Sequence, residues 1–105
     1  MYQGTTPALT FEIESFDASG MTVFVSFKYG NEVLTKTGDD VTVTYEDDKS
    51  TIVCRLTQEE TLAMRQGTAK VQVRLIDSND EAYATDEAYV DVEPVIYKEV
   101  IQYGG

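Results

Sequence analysis

The stretch Val41–Leu75, VTVTYEDDKSTIVCRLTQEETLAMRQGTAKVQVRL, alternates apolar and polar residues, stops, and then alternates again. Val41, Val43 and Tyr45 share one phase, and Ile52, Cys54 and Leu56 share the next after the turn Asp47-Asp48-Lys49-Ser50. Ala69, Val71, Val73 and Leu75 resume the pattern after TQEETLAMRQG. A period of two places alternate side chains on opposite faces of a sheet, so these runs are half-buried strands. The interruption reads as a helix over 58–66. Thr57 can accept from the Glu60 amide while the Glu60 carboxylate reaches back to the Thr57 amide, a capping box. Glu59 and Glu60 sit at the positive end of the helix dipole, Arg65 near the negative end, and Gly67 can take the left-handed conformation that stops the helix. Leu62 is the expected core contact, with Met64 at the rim. A connection of this kind carries the chain from one sheet to another, which a two-residue hairpin cannot do.

Working outward, Leu9, Phe11 and Ile13 form a first strand, and Asp17-Ala18-Ser19-Gly20 turns the chain. Met21, Val23, Val25, Phe27 and Tyr29 give the longest clean alternation, closed by Gly30-Asn31. A short run follows at 33–37, and a last long segment, after a turn at 77–80, ends near Glu93-Pro94. Seven short strands at this spacing predict an all-β, immunoglobulin-like antiparallel sandwich with one crossover helix. In the last segment Ala88, Val90 and Val92 share an inward phase that would bury Asp86. An unpaired buried carboxylate is costly, so a bulge at 85–87 is expected, moving Tyr83 and Thr85 inward.

The 105 residues, 42% of them hydrophobic, suit one sandwich domain over 1–94 with an apolar tail over 95–105. With 19 acidic and 8 basic residues the net charge is -11, which repels nucleic acid over most of the surface. The start MYQGTTP lacks the basic and apolar regions of a signal peptide, and no long apolar run suggests a membrane span. The expected site of synthesis is the cytoplasm.

Chemistry is sparse. The chain has no histidine, the commonest general base, and its one cysteine, Cys54, lies in an inward strand phase where thiols are inert. The carboxylate pairs Asp39-Asp40, Asp47-Asp48 and Asp80-Glu81 all fall in turns. No catalytic residue and no cofactor is expected. For a metal, Asp77, Asn79 and Glu81 place oxygen donors at alternate positions like the start of a calcium loop, without its later glycine and bidentate glutamate.

Tyrosine is the remaining signal. Seven tyrosines include Tyr2, Tyr97 and Tyr103 in the end segments, and tyrosine joins apolar area to a polar tip in a way that suits interfaces. Val95, Ile96, Tyr97 and Ile101 make the tail too apolar for a free terminus: it docks either on its own sandwich or on a neighbour, and in the second case it is the partner-binding segment, for self-association or for another protein. A second reading is a carbohydrate- or surface-binding module, with outward Phe24 and Tyr89 as an aromatic platform if they lie side by side.

MYQGTTPALTFEIE, LTKTGDDVTV, RLTQEETLAM and ATDEAYVDV followed by VIYKEVI together resemble small proteins from the tail and baseplate regions of phages and prophages of Gram-positive bacteria. The likeness spans nearly the whole chain. Those proteins are in turn similar to the N-terminal immunoglobulin-like domain of baseplate upper proteins, which attaches receptor-binding modules to the virion. The resemblance implies a non-enzymatic structural or adaptor role, in the virion after assembly. The sequence stops at Gly105 without the long helical and receptor-binding parts of a baseplate upper protein, which leaves open a stand-alone adaptor role or no virion role at all.

Overall fold

In the computed structural model, which describes residues 1–104, two antiparallel sheets face each other across an apolar layer. The tail residue Gly105 lies outside the described residues. The strands are β1 Ala8–Glu14, β2 Thr22–Tyr29, β3 Glu32–Lys36, β4 Val41–Glu46, β5 Lys49–Arg55, β6 Gly67–Ile76, β7 Ala82–Ala84 and β8 Ala88–Val92, with helix α1 at Gln58–Ala63. One sheet has the order β1-β5-β4; the other has β3-β2-β6-β7, with β8 continuing along β6. Lettered B, C, C′, D, E and F for β1 to β6, with β7 and β8 together as G, the sheets run B-E-D and C′-C-F-G. That is the order of strands B to G in an immunoglobulin-like sandwich, and among the described residues no strand pairs with the outer edge of β1.

Turn chemistry sets the hairpins. Asp47 and Asp48 both have positive φ, 54° and 58°, between the paired residues Glu46 and Lys49. This is the two-residue geometry whose twist matches the flanking strands. Gly30, at φ 60°, opens the turn between Tyr29 and Glu32.

The core follows the alternation. Val23, Val25 and Phe27 from β2, Ile52 and Cys54 from β5, and Ala69, Val71, Val73 and Leu75 from β6 are buried. These are the central strands, each paired on both edges. Leu9, Phe11 and Ile13 on edge strand β1, and Val41 and Val43 on edge strand β4, are only half-buried.

The expected bulge is present. Arg74 pairs with Ala84 and Val71 with Ala88, so three residues, 85–87, oppose two, 72 and 73. The extra residue reverses the side-chain phase, leaving Asp86 exposed and Thr85 half-buried. Thr85 bonds across the irregularity, its amide to the Val73 carbonyl at 2.9 Å and its hydroxyl accepting from the Val73 amide at 3.1 Å. Tyr83, expected inside, takes the phase of Leu75 but stays exposed at the sheet edge, edge-on to Phe16 with ring centroids 5.2 Å apart. The last segment is thus one long strand split into β7 and β8, which is why eight strands stand where seven were expected.

Helix α1 is shorter than its sequence suggests, and its two apolar contacts exchange roles. It ends at Ala63 rather than 66, because Met64 at the C-cap is already extended at φ -72° and ψ 136°. Freed from helical phase, the Met64 side chain turns fully into the core. Leu62 is instead half-buried against Gly4, where an added β-carbon would lie 3.3 Å from its Cδ2. Gly67 has φ 130° but opens β6 instead of stopping the helix, and Arg65, past the last turn, lies against Gly30.

A helix of six residues has no stability of its own. Its capping box is complete: the Glu60 amide donates to Thr57 Oγ1 at 3.2 Å, and the Thr57 amide donates to Glu60 Oε1 at 2.8 Å. The same carboxylate receives Lys36 Nζ at 2.8 Å on both oxygens, and Asp40 adds a contact at 3.0 Å. Lys36 is only 6% exposed, at the end of β3.

Burial alone would push the Lys36 ammonium down, yet the bonds from Glu60 and Asp40 hold it above its ordinary value. Burial likewise favours a protonated Glu60, and the Lys36 and Thr57 bonds outweigh it, holding the carboxyl below its ordinary value. A lowered carboxyl stabilises the fold above the acid range and loses that contribution as pH falls through its folded value. A raised lysine does so below the alkaline range and loses it as pH rises.

In urea unfolding near neutral pH, Lys36→Met is expected to cost about 2 kcal/mol, less than the loss of one partner of a fully buried pair, because Glu60 keeps some solvent. Glu60→Gln retains the cap, so the Lys36→Met/Glu60→Gln cycle should show a coupling of about 1–2 kcal/mol that fades in acid, as pH falls through the lowered value of the Glu60 carboxyl. Additive losses would mean that the pair does not couple helix to sheet.

Candidate functional site

The tail begins where a ladder ends. The N-terminal residues run parallel to the end of β8: the Glu93 amide donates to the Met1 carbonyl at 2.8 Å, and the Gln3 amide to the Glu93 carbonyl at 2.9 Å. Pro94 has no N–H with which to continue the pairing. Val95 then packs, half-buried, beside Gly4 and Leu62.

Beyond Val95 the segment is held by polar bonds rather than by burial. Lys98 Nζ donates to Gln3 Oε1 at 2.6 Å, while Gln3 Nε2, itself buried, donates to the Met64 carbonyl at 2.7 Å. Gln58 on α1 clasps the backbone of Ile101, accepting from its amide at 2.8 Å and donating to its carbonyl at 2.9 Å. A side-chain amide has one donor side and one acceptor side, so it reproduces what a neighbouring strand would offer. The N-terminal segment is tied to the same helix: the Thr5 amide donates to Thr61 Oγ1 at 3.1 Å, and the Thr61 hydroxyl donates to the Thr5 carbonyl at 2.9 Å.

With the backbone fastened, the apolar side chains point outward. Ile96 is 102% exposed, Tyr97 66%, Ile101 58% and Tyr103 96%, and Tyr2, paired with Glu93, is also exposed. Of the expected partner-binding residues, Ile96, Tyr97 and Ile101 therefore face solvent, whereas Val95 anchors the segment. An apolar strip with a bonded backbone can meet a partner without first paying the entropy of ordering.

The other candidates lie elsewhere. Phe24 pairs across β2–β6 with Arg74, and Tyr89 across β6–β8 with Lys70. They share the outer face of the larger sheet but sit four residues apart along β6, roughly 13 Å at strand rise, and two strands apart. They do not form one aromatic platform.

In the turn after β6, Asp77 Oδ1 accepts from the amides of Asn79 and Glu81 at 2.9 and 3.0 Å, and Glu81 accepts from the Tyr83 hydroxyl. The carboxylate of Asp77 is turned to its own backbone, and among the described residues no three His, Cys, Asp or Glu side chains converge as a metal site would require. Asp39 and Asp40 lie in a 3₁₀ turn, Gly38–Asp40, where Asp40 serves Lys36.

Two residues carry the site without a motif to announce them. Gln58 was indistinguishable from any exposed helix residue, since its partner is backbone. Lys36 did leave a signal: it shares the inward phase of Leu34 on β3, and an inward lysine demands a carboxylate.

No protein-family model matches the chain, and no curated protein matches it in sequence. Among the described residues no helix is long and apolar enough to cross a membrane.

Cys54 is fully buried, and burial pushes its thiol up to about 11. A thiol reagent at pH 8 should therefore label the native chain only at the rate of global unfolding, measured by mass shift against time and against added urea. Prompt stoichiometric labelling would contradict that burial.

Proposed function

We propose that this protein is a non-enzymatic interaction module of a tailed phage or prophage, an adaptor in the tail or baseplate region that becomes part of the virion. It engages another protein of the particle through Ile96, Tyr97, Ile101 and Tyr103. One observation carries the reading: the tail is bonded to the domain through Gln3 and Gln58 while its large apolar side chains face out. A segment serving only its own core would bury those side chains. Aromatic and aliphatic anchors of this kind supply most of the free energy of protein interfaces, with polar surroundings setting the register.

The resemblance of the opening, central and closing sequence segments to phage tail-region proteins supports the class of partner. The strand order supports a rigid presenting scaffold, and the separation of Phe24 from Tyr89 removes the platform that a carbohydrate-binding reading would use.

The test is incorporation into particles. After prophage induction in the source strain, quantitative mass spectrometry of purified particles should find the chain, and Tyr97→Ser/Ile101→Ser should reduce its particle-bound amount at least about tenfold, since loss of two interface anchors costs 2 kcal/mol or more. Both side chains are mostly exposed, so the melting temperature and the amount of free folded protein should stay near wild type. Absence of the chain from particles, or equal incorporation of the variant, would overturn the reading.

A further inference from the structure

Among the described residues, nothing pairs with the outer edge of β1. β1 pairs only with β5, and β7 and the start of β8 pair only with β6, the N-terminal residues bonding β8 only at its end through Asp91 and Glu93, so each sheet presents a free edge on the same flank of the sandwich. Between these edges run two adjoining grooves of about 320 and 550 Å³, floored by Phe11, Ile13, Phe16 and Val73. The bulge at 85–87 locally disrupts the far edge, while β1 runs its full length without one.

Charge completes the description. Glu12, Glu14, Asp86 and Glu87 line the two rims, and neither groove is lined by a lysine or arginine. Lys49 approaches Glu12 at 3.5 Å from the neighbouring strand, an exposed pair that offsets little of the total.

We infer that this flank accepts an extended segment of a partner protein, added as a strand to the edge of β1, with apolar side chains alternating with lysine or arginine. The pairing follows from the period of two. A strand beside β1 sets every other side chain toward the groove, next to Phe11 and Ile13. The alternate ones stand on the outer face next to Glu12 and Glu14, where a cation meets a carboxylate. Main-chain bonds to β1 give affinity and the alternation gives specificity, as in other sheets extended by a bound peptide. The chain's own tail does not meet this description, because Val95–Ile101 carries a single lysine beside a glutamate and faces a different surface. The flank is separate from the apolar strip, so the two sites can serve two partners.

The probe is a peptide of about nine residues alternating valine and lysine, a length within the usual range of strands. It is compared with a valine–glutamate peptide and with one that gathers the same valines and lysines into two blocks. Titrated against the full chain, the alternating cationic peptide should bind at least tenfold more tightly than either control, and more weakly as salt is raised. Amide exchange should slow along β1. Glu12→Lys/Glu14→Lys, at two exposed positions, should abolish binding without unfolding the domain, and Tyr97→Ser/Ile101→Ser should leave it unchanged. Equal binding of the block peptide, protection confined to other strands, loss of binding on tail substitution, or no binding would each overturn the inference.

Discussion

The Glu60 carboxylate accepts from the Thr57 amide and from the Lys36 ammonium at once, each at 2.8 Å. The first bond starts a helix too short to form unaided; the second fastens that helix to the end of β3 and neutralises a lysine that the sandwich has buried. Neither is sufficient alone. A buried ammonium without its carboxylate is expensive, and a helix of six residues without tertiary contacts does not persist. Where the chain leaves β5 for the opposite sheet, position and charge are therefore settled by one side chain.

From that point the helix organises both ends of the chain. Thr61 holds Thr5, Gln58 holds Ile101, the carbonyl of Met64 just past the helix holds Gln3, and Gln3 holds Lys98. The N-terminal and C-terminal segments lie together because each bonds to the crossover and to the other. The proposed partner surface owes its shape to this arrangement. Gln58 and Lys98 use their polar groups in fixing the tail, and its apolar side chains are left for contact. The same economy of strands leaves the β1 flank open, since the N-terminal residues that could have covered it run along the end of β8.

The sandwich was legible because its signals are local or strictly periodic. Alternation placed Val25, Phe27, Ile52 and Val73 inside, and the capping box at Thr57 and Glu60 marked the helix start. The conflict at Asp86 located the bulge, because a two-residue period admits only one repair. Errors came where a tertiary bond overrides local phase. Met64 escaped the rim because the helix ends one residue before it, and the Met64 carbonyl accepts instead from Gln3, 61 positions away. The clasp of Ile101 by Gln58 was illegible for the same reason, as a side chain bonding to backbone leaves no pattern in residue types. The tail's apolar composition was visible, whereas its outward display depends on bonds that no spacing encodes.

The central claim is that the tail is held on the crossover helix as an ordered strip, and residue-resolved amide hydrogen exchange on the native chain tests it most directly. The account predicts that the Ile101 amide is protected well beyond the rate of an unstructured peptide, and that Gln58→Ala removes this protection while the amides of β2 and β6 keep theirs. If Ile101 exchanges at the unstructured rate in the wild-type chain, the tail is not held on the helix, and both the presented strip and the function built on it would be wrong.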